Sequence, residues 1–233
     1  MGARRRGRGL GPVTMTRAPQ GARAATGYSL VLPPGWAQIP LDDRAAGAVA
    51  RLVDRAFADL PSDVPPDTAA SLRRRLELHL RSTLTSARTN GATELYLPTE
   101  RMGGVLVPAS FVVAEVDPGT GPGAPGPGDD GHDLVTGVLA RLIAAAEDAR
   151  ATEVDGAPAL RTESRAAGAP ERQLGIQAAT RRVDYLLAVP DHPGRWLAVS
   201  CTILEAADDD EDLAGLLVEL FDAVMTTFRW SAS

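Results

Sequence analysis

Three histidines, one cysteine and a run of acids are the residues best equipped for chemistry in this 233-residue chain. Zinc needs His and Cys gathered at ligand spacing. His79 falls in a helical pattern, His132 in a Gly/Pro-rich stretch and His192 in the turn "DHPG", with no H-E-x-x-H and no second Cys. No zinc site is expected. Asp208, Asp210 and Asp212 alternate as calcium-loop ligands do, but Leu213 stands at the sixth position, where that loop needs glycine for its turn. Acids at the start of a helical pattern serve the helix dipole instead, so no metal is expected. Gly121, Gly123 and Gly126 spell a dinucleotide-type G-x-G-x-x-G. Pro122 and Pro125 remove backbone donors that a phosphate cradle requires, so the sequence predicts no cofactor.

Nucleophilic chemistry fares no better. Cys201 follows Ser200 inside the strand pattern "RWLAVSCTI", and a nucleophile needs a base within hydrogen-bond reach. His192 lies beyond a hairpin turn, and a lone Cys in such a strand packs as a small hydrophobe. There is no G-x-S-x-G elbow. The sequence predicts no catalytic residue and no enzyme; a hydrolase using Ser200 or Cys201 is the least favoured reading.

Two sets of side chains are left as candidates for binding. Aromatics make up only 4% of the chain, yet Trp36, Trp196 and Trp230 each stand at the edge of an element, after a turn, at a strand start and at a helix end. Such rings seal the ends of a core short of large side chains; a shared cleft between them is the alternative and would suit a small apolar ligand. Arg73, Arg74 and Arg75 lie in a long helical pattern. They form either a solvated face or a basic stripe for a partner.

Charge narrows the partners. All 24 basic residues are Arg, a mark of high-GC codon usage. Residues 1–27 hold six Arg and no acid, which leaves 18 Arg against 30 acids, a net of −12, in residues 28–233. An acidic body disfavours nucleic acid and anionic membrane surfaces. No window approaches a membrane span. The Arg-rich leader has no apolar core of a signal peptide; it reads as a disordered segment, with Met15 an alternative start. A single Cys fits a reducing compartment, and a cytoplasmic location is expected.

The positioning elements follow from periodicity. Tyr28, Leu30 and Leu32 alternate with Ser29 and Val31 as a half-buried strand, ended by Pro33-Pro34-Gly35. A helix carries Val49, Leu52, Val53, Ala56, Phe57 and Leu60; a second runs from Asp67 through Leu72, Leu76, Leu80 and Leu84 to Asn90-Gly91. "ATELYLP" and "GGVLVPASFVVAEVD" read as strands, the second broken near Pro108, and residues 118–131 as a flexible Gly/Pro loop. A third helix carries Leu134, Val135, Val138, Leu139, Leu142 and Ile143. Four strands in two hairpins follow, turning at Asp155-Gly156 and at "DHPG". A last helix carries Leu213, Leu216, Leu217, Leu220, Phe221, Val224, Met225 and Phe228. The expected fold is mixed α/β of the α+β kind, a mostly antiparallel sheet with helices on its faces, as a single domain over residues 28–230.

Four stretches carry a family resemblance: the strand ending "LPPGW", the later "VDGAPALR", the hairpin "RRVDYLLAVP…RWLAVS" and the closing "LFDAVMTTFRW". Together they resemble the PsbP-like fold, shared by the photosystem subunit PsbP, a Ran-binding import factor and LpqN-type lipoproteins, here as a member from a high-GC Gram-positive bacterium. The resemblance implies an α/β/α sandwich in which Trp36 caps the sheet where the first strand turns into the first helix. It also implies a non-enzymatic binding or accessory protein, and it carries over no binding residue. The absence of a lipobox sets the chain apart from the lipoprotein members. The functional expectation is engagement of a protein partner, as an accessory of a secretion or cell-envelope system. The alternative is a small-molecule or lipid carrier with its pocket between the sheet and the second helix.

Overall fold

A tight turn at Gly35 sets the start of the fold. In the computed structural model, which describes residues 25–58, 65–104, 107–116, 135, 137–140, 142, 143, 148–166, 179–192, 194–205 and 211–232, Gly35 has φ +79°. The Trp36 amide donates back to Pro33 O at 3.4 Å. A left-handed φ suits glycine, which has no Cβ to clash. The turn separates β1 (Ala25–Ser29) from β2 (Trp36–Pro40). The expected strand through Leu32 ends early, at Ser29, and Trp36 opens a second strand where the family resemblance implied a passage from strand into helix. Only five residues long, β2 hides its alternation behind its terminal proline, which an edge strand tolerates.

Two helices follow, α1 (Ala45–Ala58) and α2 (Pro66–Thr89), then β3 (Ala92–Pro98) and β4 (Ala109–Val116). Gly91 makes the exit from α2 with φ +83°, and a Cβ there would lie 2.6 Å from Glu115 O. Only glycine allows the chain to pass that close. The described residues at 135, 137–140, 142 and 143 form α3. Then come β5 (Arg150–Val154), β6 (Ala157–Ala166), β7 (Ala179–Ala188), β8 (Trp196–Glu205), α4 (Glu211–Thr226) and β9 (Arg229–Ala232). The leader before residue 25, the Gly/Pro loop 118–131, His132 and the acids at 208–210 lie outside the described residues.

Seven strands pair in the order β2-β3-β4-β8-β7-β6-β5, antiparallel throughout, while β1 and β9 form a separate antiparallel pair. The mixed α+β class and antiparallel sheet read from the sequence are both present. The strand β9 is a correction: Arg229 and Trp230, expected at the end of the helix, lie beyond it and pair with β1, placing Trp230 opposite Tyr28.

Alternation assigns the two faces of the sheet. Tyr96, Phe111, Val113, Val183, Leu187, Val199 and Ile203 meet Leu217, Phe221, Val224 and Met225 of α4. On the other face, Leu95, Val112 and Ala114 meet α1 and α2 through Val49, Val53 and Leu84. Val138 of α3 packs on that same face against Ala188 and Trp196.

Two expected core leucines are exposed, Leu72 at 44% and Leu216 at 60%. A four-residue spacing gains about 40° of helix rotation per step, so Leu72 stands about 120° around α2 from buried Leu84. Leu216 sits at the margin of a stripe that Leu217 and Phe221 already fill.

Contrasting truncations on α4 test this arrangement. Phe221→Ala should cost about 3–5 kcal/mol in denaturant unfolding, and Leu216→Ala should stay within about 0.5 kcal/mol of wild type. Equal costs would contradict the assigned face.

Candidate functional site

The reactive groups come first. Cys201 lies in β8 on the α4 side, 2% exposed, among Trp36, Phe111 and Leu217. Burial, with smaller contributions from the Asp184 and Asp222 carboxylates, pushes its thiol up to about 12. A thiol that stays protonated at neutral pH is a poor nucleophile. About 17 Å of strand separates it from the start of β8, and His192 lies in the turn beyond.

Ser200 faces the opposite side of the sheet. Its hydroxyl donates to Asp184 Oδ1 and accepts from the Arg182 guanidinium at 3.1 Å, and Arg182 Nε also binds Asp184 Oδ1 at 2.9 Å. Among the described residues no cluster of three His, Cys, Asp or Glu forms a metal site, and no helix is long and apolar enough to cross a membrane.

The three tryptophans separate. Trp196 is 1% exposed and packs on the α3 side with Val138 and Ala188. Trp36 and Trp230 lie on the α4 side. The Trp36 ring stands 5.4 Å from Phe111, and Trp230 meets Phe228 edge-on at 4.9 Å. Both indole N–H groups are buried without a hydrogen-bond partner among the described residues. Beside Trp36 the cavity lined by Pro33, Phe111, Cys201 and Phe221 measures about 10 Å³, room for one water. Between α1 and α2 an open cleft of about 320 Å³ is lined by Leu41, Val49, Leu84, Asp42, Asp43, Arg81 and Arg88; no tryptophan lines it.

The arginine triplet splits as well. Arg73 turns inward and pairs with Asp54 of α1 and, at 3.5 Å, with Glu77 one turn along. Arg74 and Arg75 are exposed, and neither forms an ion pair with a described residue. The far side of α2 is therefore a charged surface held by a buried one. Leu76 and Leu80 pack toward α1 with Leu52 and Phe57, which fixes the helix and with it the two cations.

Sequence reasoning missed two polar networks that hold the elements in place. Arg161 of β6 grips Asp222 of α4 through two bonds of 2.9 Å and reaches Glu163 at 3.1 Å. Tyr185 donates to the same Asp222 carboxylate at 2.8 Å, and Arg181 donates to Glu163 at 2.7 Å. Near the two-stranded sheet, Tyr28 and Tyr96 both donate to Glu94 Oε2, while Gln38 donates to its other oxygen at 2.7 Å. Burial first, then the carboxylate they donate to, holds both tyrosine hydroxyls well above their ordinary range. No sequence spacing announces either cluster, because each joins elements far apart in the chain.

Two solution measurements follow. In native protein at about pH 8 the Cys201 thiol should resist a thiol reagent that fully labels the urea-unfolded chain; comparable rates would contradict its burial. For Glu163, burial opposes ionisation, but hydrogen bonds from Arg181 and Arg161 outweigh it and hold the carboxyl below its usual value. A depressed carboxylate stabilises the fold above its unfolded value of about 4.3 and loses that contribution as pH falls through the folded one. Glu163→Gln should therefore be less stable than wild type at neutral pH. The gap should close in urea titrations taken from about pH 6 to pH 3; a constant gap would contradict the network.

No family model matches the chain, and no curated protein matches its sequence. Among solved structures it is similar to LpqN, described as involved in cell envelope biogenesis of Mycobacterium tuberculosis. The TM-score is 0.38 and the identity 9%, over 90% of this chain and 86% of that one. This is a distant structural resemblance, and it assigns no activity.

Proposed function

We propose that the chain is a non-enzymatic binding module that works in the cytoplasm by engaging a protein partner, as an accessory of a secretion or cell-envelope system. The observation that carries this reading is the outer face of α2. The helix holds five Arg against two acids, on a body that is otherwise acidic, and Arg74 and Arg75 point away from α1 without compensating carboxylates among the described residues. Uncompensated like charges on one face repel one another, and an opposing surface relieves that cost. The accessory setting draws on the sequence resemblance to the PsbP-like fold.

The carrier reading finds less support. The apolar space between sheet and α4 is the size of one water. The cleft at α1 and α2, about 320 Å³, lies at the lower end of the roughly 300–1,000 Å³ that drug-sized ligands occupy, and Asp42, Asp43, Arg81 and Arg88 share its lining with Leu41, Val49 and Leu84.

Affinity purification of the tagged chain from its native cells, with mass spectrometry of what accompanies it, tests the reading. A stoichiometric protein should appear with wild type and disappear with the double variant Arg74→Glu, Arg75→Glu, whose melting temperature should match wild type. A clean preparation that holds no protein but yields a bound lipid or small molecule would overturn the proposal in favour of a carrier.

A further inference from the structure

The exposed stripe of α2 has a composition that specifies more than charge. Ser71, Arg74, Arg75, Leu78, Arg81 and Ser82 recur at three- and four-residue intervals, and all are exposed. Residues so spaced line one side of a helix, about 5–6 Å apart. Leu78 stands near the middle of the stripe at 60% exposure, with Arg74 and Arg75 one turn before it and Arg81 one turn after. Arg81 reaches Glu77 only at 4.0 Å and its side chain is 59% exposed. An apolar side chain ringed by cations is a compact recognition unit: the ring selects charge, and the centre supplies desolvated contact.

Resting on the protein-binding reading, we infer that this stripe docks an acidic segment of a partner protein, one that presents an apolar residue between carboxylates spaced about one helical turn on either side. A second copy of α2 does not fit, since it would set arginine against arginine. A duplex or an anionic membrane would meet the net charge of −12 carried by residues 28–233, which repels extended phosphate surfaces. A short acidic segment engages the stripe alone. Steering by the three arginines makes association salt-sensitive, whereas Leu78 governs how long the complex lasts.

Photo-crosslinking in the native cells tests this on the full chain, with benzoylphenylalanine placed at position 78 in one variant and at position 216 in another. The two sites are equally exposed, at 60%, on α2 and on α4. The expected result is a protein adduct at position 78 whose crosslinked peptide carries Asp or Glu on both sides of an apolar residue. That adduct should fall at least about tenfold when Arg74→Glu and Arg75→Glu are added. A protein adduct at position 216 alone would leave protein binding standing and overturn the α2 site. Protein adducts at neither position would overturn both readings. A lipid, a nucleic acid, a basic peptide or a second copy of this chain at position 78 would overturn the acidic-segment proposal.

Discussion

At the middle of α4, Phe221 lies 5.8 Å from the ring of Phe111 on β4 and meets Tyr185 on β7 edge-on at 5.7 Å. One side chain thus joins a helix near the end of the chain to two strands on either side of central β8. Around it, Arg161 and Tyr185 both hold Asp222, one turn of contact that fixes the helix against sliding as well as lifting. Apolar burial supplies the energy, about 1.5–3 kcal/mol for each large side chain fully buried. The charge-assisted pairs supply the register. β9 follows directly from α4, so the position of the helix also decides where β1 can pair.

The same physical division runs through the rest of the molecule. Carboxylates that would otherwise repel are spent on fixing elements: Glu94 gathers Tyr28, Tyr96 and Gln38, and Asp155 receives the Trp230 amide at 2.8 Å. Cys201 and Ser200, neighbours in sequence, alternate to opposite faces of β8. One is silenced by burial and the other is held between Asp184 and Arg182. What these internal contacts leave uncommitted among the basic groups of α2 is the outward pair Arg74 and Arg75, with Arg81 only loosely held by Glu77.

Much of this was legible in the sequence where local chemistry dominates. Asp155-Gly156 marked its hairpin, α2 ended at Asn90-Gly91, and α4 announced itself by its spacing. β2 and β9 were not legible. Five and four residues are too few to establish a period, and pairing partners more than 50 residues away decide whether such segments become strands. How the candidate side chains divide between environments was hidden for a related reason. Three consecutive arginines span about 200° of a helix, so one must differ in environment from the others, yet only the position of α1 determines that Arg73 is the one turned inward. The tryptophans sit at element edges as expected, but the topology of β8 puts Trp196 across the sheet from Trp36 and Trp230.

The central claim is that function resides on the outer face of α2 and not within the sealed core. Leu78 and Leu216 have matched exposure of 60%, so hydroxyl-radical footprinting of the purified chain should oxidise them at similar rates. Repeating the footprint inside the native cells is the most direct test. The account predicts that oxidation of Leu78 falls relative to Leu216 in the cell. Unchanged relative rates, or protection confined to Leu216, would contradict it.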